Sequence, residues 1–244
     1  MFSIEKHRKV LIELCGVFVI MKEDGTVYFL MENDFVQEDV MTHRERMEAG
    51  LVYDPWDEEL QAEQTRRLDT LYDYNMTRPS EGKRRQELLK EMLGSVGEGC
   101  YIEPPLRANW GGKNVHFGNH VYANFNLTCV DDAEIFVGDD TMFAPNVVIT
   151  TTNHTIHPEL REKRMQYVKP VHIGNNVWIG SGAVILPGVT IGDNTVIGAG
   201  SIVTKDIPAN VVAVGNPCRV LREIGERDRE FFYKNERIDW ENLK

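Results

Sequence analysis

Aliphatic side chains recur at every sixth position through the second half of the chain. The series consists of Ile173, Ile179, Ile185, Ile191, Ile197 and Val203. A second series of small or apolar residues follows four positions behind it, at Val177, Ala183, Val189, Thr195, Ser201 and Ile207. Six is not a helical period. Glycine, asparagine or aspartate follows several of the aliphatic residues, and these types tolerate the backbone of a tight corner. The pattern therefore predicts short strands joined by sharp corners.

The same period extends upstream. Phe117, Val137, Phe143 and Ile149 continue it, with a slip of two residues just before Val137. Three six-residue edges close one triangular coil of about eighteen residues, which is the hexapeptide-repeat β-helix. Burial of each isoleucine inside such a coil stabilises the fold by ~1.5–3 kcal/mol. A β-sandwich would need turn signals at about 8–12-residue spacing, which this region lacks. We therefore predict a β-helix over residues 96–225.

One segment, residues 151–170, interrupts the repeat. It leaves the coil and returns to it, and it carries His154 and His157. A long loop in a compact domain is usually functional or disordered. Imidazole is the side chain best suited to proton transfer near neutral pH. This projecting loop is therefore where the sequence predicts chemistry, with His157 more suited to orienting the loop than to reacting.

Residues 41–95 have helical patterning instead. Thr42 and Glu45 form a capping-box pair, and Ser80 is expected to open the last helix. Asp57 is expected to cap a long helix between them. That helix has one predicted apolar face, formed by Leu60, Gln64, Leu68, Leu71 and Tyr72. Two roles remain open for the segment: a module that closes over a site, or a cap over the end of the β-core.

The two ends of the chain lie outside these patterns. Within residues 1–40, two apolar, β-prone runs flank Asp24-Gly25, which is a hairpin signal. An isolated two-stranded hairpin is marginally stable. The segment is therefore either a β-hairpin or an upstream extension of a protein whose working part starts at Met41. Residues 226–244 are expected to form a C-terminal tail.

Charge and cysteine usage narrow the class of protein. The chain has 27 basic and 38 acidic side chains, which gives 27 − 38 = −11. That balance argues against partners with anionic surfaces, namely nucleic acids and acidic membranes. No apolar run approaches the ~20 residues of a membrane helix. The four cysteines have no paired spacing, which fits a reducing cytoplasm. We therefore expect a cytoplasmic protein that binds neither nucleic acid nor membrane.

Several motifs accompany the repeats. They are Tyr122-Ala123-Asn124-Phe125-Asn126, Val130-Asp131-Asp132, Asn153-His154, His157-Pro158-Glu159-Leu160, Ile173-Gly174-Asn175-Asn176-Val177-Trp178-Ile179-Gly180, Ile197-Gly198-Ala199-Gly200-Ser201-Ile202-Val203-Thr204-Lys205-Asp206, Pro217-Cys218-Arg219-Val220 and Arg222. Together, over about residues 41–225, they resemble the hexapeptide-repeat O-acetyltransferases, specifically the maltose and galactoside acetyltransferase branch. The resemblance implies a mainly β fold, a left-handed parallel β-helix with a helical N-terminal segment.

That resemblance also implies a reaction. It is the transfer of acetyl from acetyl-CoA to a sugar hydroxyl by direct attack, without an acyl-enzyme. The family's general base corresponds to His154. A sugar hydroxyl is too weak an acid to ionise at neutral pH, so its proton must leave as the new C–O bond forms, and an imidazole of pKa near ~6.5 suits that task. The thioester oxygen gains charge and needs a fixed donor, for which family analogy indicates Ser181.

Binding residues follow from the same resemblance. The acceptor pocket is expected to contain Asp54, Asn109, Asn124 and Asp132, with Asn109 standing where the family usually has serine. The coenzyme is expected to contact Ser181, Ala199, Thr204, Lys205, Arg219 and Arg222. Lysine and arginine suit its phosphates, and Trp178 could flank its thiol arm. The resemblance further implies a homotrimer with active sites between subunits.

Other functions remain open on the same fold. A zinc hydrolyase of carbonic-anhydrase type would need three imidazoles on the metal. The candidate ligands are His116, His120, His154, His157 and His172. A non-catalytic binding or scaffold solenoid is a third reading. Among acetyltransferases, the acceptor could be glucose or maltose, a β-galactoside, a chitin oligosaccharide or an antibiotic.

Overall fold

A computed structural model describes residues 9–14, 17–21, 27–31 and 41–243, and the chain divides into two compact units, residues 1–42 and 43–244. The strands of the first unit are β1 (Lys9–Leu14), β2 (Val17–Met21) and β3 (Val27–Met31). They form an antiparallel sheet in that order. The predicted Asp24-Gly25 turn lies outside the described residues. The sheet includes β1, a strand that the hairpin prediction did not contain.

The second unit begins with three helices. They are α1 (His43–Glu48), α2 (Glu58–Asn75) and α3 (Gly82–Met92). Asp57 caps α2 as predicted, because its carboxylate accepts hydrogen bonds from the backbone N–H groups of Glu59 and Leu60 at 3.1 and 3.3 Å. The prediction that Ser80 opens α3 is wrong. The N-cap is Glu81, which makes no side-chain capping bond.

The buried face of α2 differs from the predicted one. Leu60, Leu71 and Tyr74 are buried, whereas Leu68 and Tyr72 are 39% and 65% exposed. Steps of three and four residues connect the buried positions into one stripe. Leu68 and Tyr72 each follow a stripe position by one residue, which rotates them by about 100° toward solvent.

The helices close one end of the β-helix. The Tyr74 hydroxyl donates to the backbone oxygen of Ile102 at 2.5 Å. The Asn75 amide donates to the backbone oxygen of Leu106 and accepts from its N–H, both at 2.8 Å. Leu89 is part of the same hydrophobic core as the strands. Residues of α2 and α3 therefore cap the β-core, which was one of the two roles left open by the sequence.

Short strands form three parallel sheets, called here A, B and C. The strands of sheet A are β4 (Ser95–Val96), β7 (Val115–Phe117), β10 (Ile135–Val137), β15 (Val171–Ile173) and β18 (Thr190–Ile191). The strands of sheet B are β5 (Tyr101–Ile102), β8 (Tyr122–Ala123), β11 (Met142–Phe143), β16 (Trp178–Ile179), β19 (Val196–Ile197), β21 (Val211–Val214) and, antiparallel at its edge, β22 (Arg219–Glu223). The strands of sheet C are β6 (Arg107–Ala108), β9 (Thr128–Val130), β12 (Val148–Thr150), β17 (Val184–Ile185) and β20 (Ile202–Val203).

The chain visits sheets A, B and C in turn and forms stacked parallel coils, which confirms the predicted parallel β-helix. All residues of the two six-residue series are buried, each exposing 5% or less of its surface. The two-residue slip falls between β9 and β10. There Asp131 and Asp132 are buried as well.

The corners explain the Gly and Asn positions of the repeat. Asn176 and Asn194 have positive φ values of 52° and 55°, and the amide of Asn176 donates to that of Asn194 at 3.0 Å. At Gly180 a Cβ atom would lie 2.5 Å from the backbone nitrogen of Ala199 on the next coil. Glycine is therefore required where coils stack most closely.

The segment predicted as a projecting loop is an ordered hairpin. Strand β13 (Thr152–His154) pairs antiparallel with β14 (Gln166–Val168), and α4 (Pro158–Glu162) lies between them. Residues 151–170 thus form a projecting hairpin. Its hydrogen-bonded ladder fixes the backbone that carries His154.

Beyond β22, the segment predicted as a tail contains three further elements. They are α5 (Glu226–Glu230), β23 (Phe231–Tyr233) and β24 (Glu236–Arg237). Strands β23 and β24 pair antiparallel. Across the described part of the chain, no helix combines the length and the apolar character needed to cross a bilayer.

Candidate active site

His154 is the last residue of β13, and its cross-strand partner on β14 is Gln166. The exposed imidazole places Nδ1 3.2 Å from the backbone oxygen of Met165. Because a carbonyl oxygen can only accept, this bond requires the hydrogen on Nδ1. In the neutral ring the lone pair is then on Nε2, the nitrogen that can accept a proton.

Asp132 is the centre of a buried polar cluster. The Asn109 amide donates to Asp132 Oδ2 at 2.9 Å, and the Gln166 amide donates to Oδ1 at 3.2 Å. The Tyr53 hydroxyl lies 3.5 Å from the same Oδ1. Burial raises the pKa of Asp132, and the hydrogen bond from Asn109 acts in the opposite direction. The structure thus brings two of the predicted acceptor residues, Asn109 and Asp132, into direct contact.

Tyr53 and Gln166 complete this cluster, and sequence reasoning did not select either one. Tyr53 precedes α2, and its backbone pairs with that of Gln166 through two hydrogen bonds of 2.9 and 3.1 Å. Burial, and then the negative charge of Asp132, raise the pKa of the Tyr53 hydroxyl. No repeat or motif marks Gln166, so only the fold reveals it.

Two other predicted acceptor residues make local turn contacts. The half-buried Asp54 accepts from the backbone N–H of Trp56 at 2.9 Å, and its own N–H donates to Nδ1 of His43 at 3.0 Å. Asp54 is next to Tyr53 in sequence, which puts it beside the buried cluster. Asn124 accepts from the N–H of Phe125 at 2.7 Å. It lies at a corner between sheets B and C, whereas Asn109 and Asp132 follow strands of sheet C.

Ser181 and Ala199 are exposed at successive corners between sheets B and C. The backbone oxygen of Ser181 accepts from the N–H of Gly200 at 2.8 Å, so these two corners are stacked directly. Thr204 and Lys205 are exposed at a different edge, where the chain leaves sheet C. The residues predicted for the coenzyme therefore occupy two edges of the prism.

The two predicted arginines lie on β22. Arg219 donates to the backbone oxygen of Cys218 at 2.7 Å. Arg222 makes a two-pronged ion pair with Asp228 of α5, at 2.7 and 2.6 Å. The hydrogen bond from Arg222 lowers the pKa of Asp228 to about 2. This pair holds the guanidinium of Arg222 in one orientation while leaving about half of its side chain exposed.

A cleft of about 520 Å³ opens beside Asp132. Its lining also includes Gly50 after α1, Trp110, Lys113 and Lys169. Asp132 is the one predicted acceptor residue among those that line it. Side chains of both charge signs therefore surround a space of small-molecule size at the base of the projecting hairpin.

The histidines that the structure describes do not assemble into a metal site. Among residues 41–243 and the described strands before them, no group of three or more histidine, cysteine or acidic side chains has metal-binding geometry. Both ring nitrogens of His116 have partners, Ser95 Oγ at 3.0 Å and Glu134 Oε2 at 2.5 Å. His172 stacks on Phe136, which in turn stacks on His116. The zinc interpretation therefore has no support in this geometry.

Two family models match the chain. One, described as the maltose acetyltransferase hexapeptide capping motif, matches residues 46–97, from the second half of α1 through α2 and α3. The other, described as bacterial transferase hexapeptide (six repeats), matches residues 170–205. These two matches cover the helical cap and the most regular part of the β-helix.

Individual relatives cover most of the chain. A galactoside O-acetyltransferase of Lactococcus lactis is 51% identical over 80% of this chain and 94% of its own length. A galactoside O-acetyltransferase of Escherichia coli is 50% identical over 82% of this chain and 98% of its own length. A solved structure of a galactoside acetyltransferase in complex with coenzyme A has a TM-score of 0.79 at 50% identity, covering 82% of this chain and 99% of that protein.

Proposed function

Since this chain belongs to the maltose and galactoside acetyltransferase branch of the hexapeptide-repeat O-acetyltransferases, we propose that it transfers an acetyl group from acetyl-CoA to a hydroxyl of a sugar. The observation that carries the proposal is the fixed imidazole of His154 on the projecting hairpin. Its cross-strand neighbour reaches the buried Asp132 cluster. The hairpin therefore carries the candidate base and also contributes Gln166 to the polar cluster around Asp132.

In the proposed reaction, His154 Nε2 accepts the proton of the sugar hydroxyl. The hydroxyl oxygen attacks the thioester carbon as this proton leaves, and the collapse of the tetrahedral intermediate breaks the C–S bond. The protonated imidazole then returns its proton to the departing sulfur of coenzyme A, which balances the reaction. The carbonyl oxygen of Met165 stabilises the imidazolium, because Nδ1–H remains its donor throughout.

Ser181 is proposed as the donor to the thioester oxygen. Its backbone oxygen is committed to Gly200, which fixes the orientation of this corner. A preorganised donor at the developing oxyanion is worth about 10²–10³ in rate. Ser181 is an exposed residue at this corner, and it offers two donors, its hydroxyl and its backbone N–H. Either one supplies this interaction.

We propose that the sugar acceptor is bound near Asp132, Asn109, Asp54 and Asn124. Carboxylate and amide groups suit sugar hydroxyls, since they provide acceptors and donors in fixed geometry. Glucose or maltose and a β-galactoside are the proposed acceptors. A chitin oligosaccharide and an antibiotic are the alternatives within the same reaction class.

We propose that acetyl-CoA binds at the corners of Ser181 and Ala199 and at Thr204, Lys205, Arg219 and Arg222. The exposed cations supply charge for its phosphates within an acidic chain. These residues occupy two edges of one prism, and the edges are about six residues, or up to ~20 Å, apart. A homotrimer would bring one edge of a chain beside another edge of its neighbour. We therefore propose a cytoplasmic homotrimer with active sites between subunits.

One experiment tests the reaction class and the acceptor together. A panel of glucose, maltose, galactosides, chitin oligosaccharides and a sugar-free control is incubated with acetyl-CoA, and free thiol is measured. We expect thiol release that depends on at least one sugar and an acetylated product seen by mass spectrometry. Thiol release without a sugar product, or none with any acceptor, would overturn the proposal. Light scattering of the active protein measures its oligomeric state, and an active monomer would contradict the trimer.

A further inference from the structure

The projecting hairpin is paired with the segment that leads into α2. Gln166 on β14 pairs through its backbone with Tyr53, which precedes α2 and lies 113 positions earlier in the chain. Both residues are buried, at 7% and 1% exposure. The helical segment therefore reaches the hairpin directly opposite His154, because Gln166 is the cross-strand partner of His154.

The side chain of Gln166 adds a second attachment. Its amide nitrogen donates to the Tyr53 hydroxyl at 2.5 Å and to Asp132 Oδ1 at 3.2 Å. Because the Tyr53 oxygen accepts from Gln166, its own hydrogen is available to Asp132, 3.5 Å away. One buried carboxylate thus holds two residues that belong to the cap and to the hairpin.

We propose that Gln166 and Tyr53 are positioning residues that set where His154 stands relative to the acceptor cluster. They form a clamp between the cap, the coil that carries Asp132 and the hairpin. This inference rests on the proposed function, since it assigns the clamp to the base of that reaction. The residue after Met165 is Gln166 itself, so a displaced β14 would also displace the carbonyl oxygen that holds His154 Nδ1.

The chemistry of the clamp requires an uncharged donor at position 166. A leucine there would leave Asp132 and the Tyr53 hydroxyl without that donor in a buried place. A glutamate would bring a second carboxylate to Asp132, whose pKa is already raised by burial. A misplacement of about 1 Å at a reacting group can cost about 10²-fold in rate. The clamp is therefore expected to matter for turnover.

Three substitutions test the clamp in the full-length protein. Gln166→Leu removes the donor, and Tyr53→Phe removes only the hydroxyl while keeping the ring. Tyr167→Phe is the matched control, because it removes a hydroxyl from the next residue of β14 outside the clamp. We expect kcat to fall about 10²-fold in Gln166→Leu and by a smaller factor in Tyr53→Phe. In Tyr53→Phe, the KM for acetyl-CoA and the melting temperature should both stay close to the wild-type values. Tyr167→Phe should behave as the wild type.

A spectroscopic readout separates this inference from the proposed reaction. The ¹⁵N shifts of labelled histidine report the tautomer of His154, assigned with His154→Ala. We expect the Nδ1–H form in the wild type and a shift toward the Nε2–H form in both clamp variants. Unchanged tautomer and unchanged kcat in a folded Tyr53→Phe and Gln166→Leu would overturn the clamp. Failure of the wild type to acetylate any sugar, with the tautomer shift still present, would overturn the proposed function and not the clamp.

Discussion

The β-helix and the projecting hairpin are built from opposite kinds of contact. In the β-helix, neighbours on adjacent coils such as Asn176 and Asn194 are 18 positions apart, and the same contact repeats. In the buried polar cluster at the hairpin, Asp132 contacts Tyr53, which is 79 positions away in the sequence, and Gln166, which is 34 positions away. Each of these contacts occurs once. The repeat therefore forms the stable core of the β-helix, which is the frame of the molecule. The candidate base, His154, lies in the segment that interrupts the repeat. Substitutions in the two regions should accordingly separate stability from activity.

The largest expected effect is on turnover. His154→Ala removes the base without touching the buried core, so kcat should fall by about 10²–10⁴. The KM for acetyl-CoA and the unfolding midpoint should stay close to those of the wild type. Steady-state kinetics with the best acceptor and a thermal melt measure all three. His157→Ala, three residues further along the same hairpin, is the control and should lose much less activity. Near-normal turnover of His154→Ala with every acceptor would show that the base is another residue.

In the β-helix, the substitution Ile179→Ala is expected to lower stability. Ile179 is fully buried on sheet B, so the loss of its side chain should lower the free energy of unfolding by about 2–5 kcal/mol. Chemical denaturation measures this change. Thr190→Ala, on an exposed position of sheet A, should change it by less than about 0.5 kcal/mol. If the two variants were equally stable, the buried ladder would not be what supports the coils.

A smaller effect is expected where the coenzyme is proposed to bind. Arg222→Ala removes a charged donor, which should raise the KM for acetyl-CoA about tenfold with a smaller change in kcat. Asp228→Asn should raise it less, because the guanidinium remains but loses its fixed orientation. Since the pKa of Asp228 is about 2, the ion pair should persist and the wild-type KM should not report its titration above about pH 4. Lys83→Ala on exposed α3 is the control. An unchanged KM in Arg222→Ala would remove this residue from the coenzyme site.

The smallest expected effect is on the pH dependence of stability. It concerns Asp131, which lies at the two-residue slip between β9 and β10. Burial raises the pKa of Asp131 to about 6, although the carboxylate accepts from the backbone N–H groups of Trp110 and Gly112. Between its unfolded pKa of about 4 and this value, the folded state binds more protons, so the contribution of Asp131 to stability falls as pH rises from about 4 to 6. Between about pH 4 and 6, the slope of the free energy of unfolding against pH should be more positive in Asp131→Asn than in the surface control Glu91→Gln. Equal slopes would contradict the raised pKa.

Much of the fold could be predicted from residue pattern alone. Ile173 through Val203 and the series four positions behind them are buried as expected, because a repeated corner leaves each sixth side chain facing inward. Asp57 caps α2 for an equally local reason. The pattern was less reliable on α2 itself, where Leu68 and Tyr72 face solvent, since a short apolar stripe is consistent with more than one helix face until its partner is known.

For the candidate site, the sequence determined that a histidine-bearing segment interrupts the repeat, and the family motifs pointed to His154, Asn109 and Asp132. Only the tertiary structure decided that Asp132 is buried and that Tyr53 and Gln166 meet it from opposite directions. A periodic core is encoded again in every coil, so its pattern is visible along the chain. A contact that joins a cap, a coil and a hairpin occurs once, between positions with no shared period, and only the folded backbone brings those side chains together.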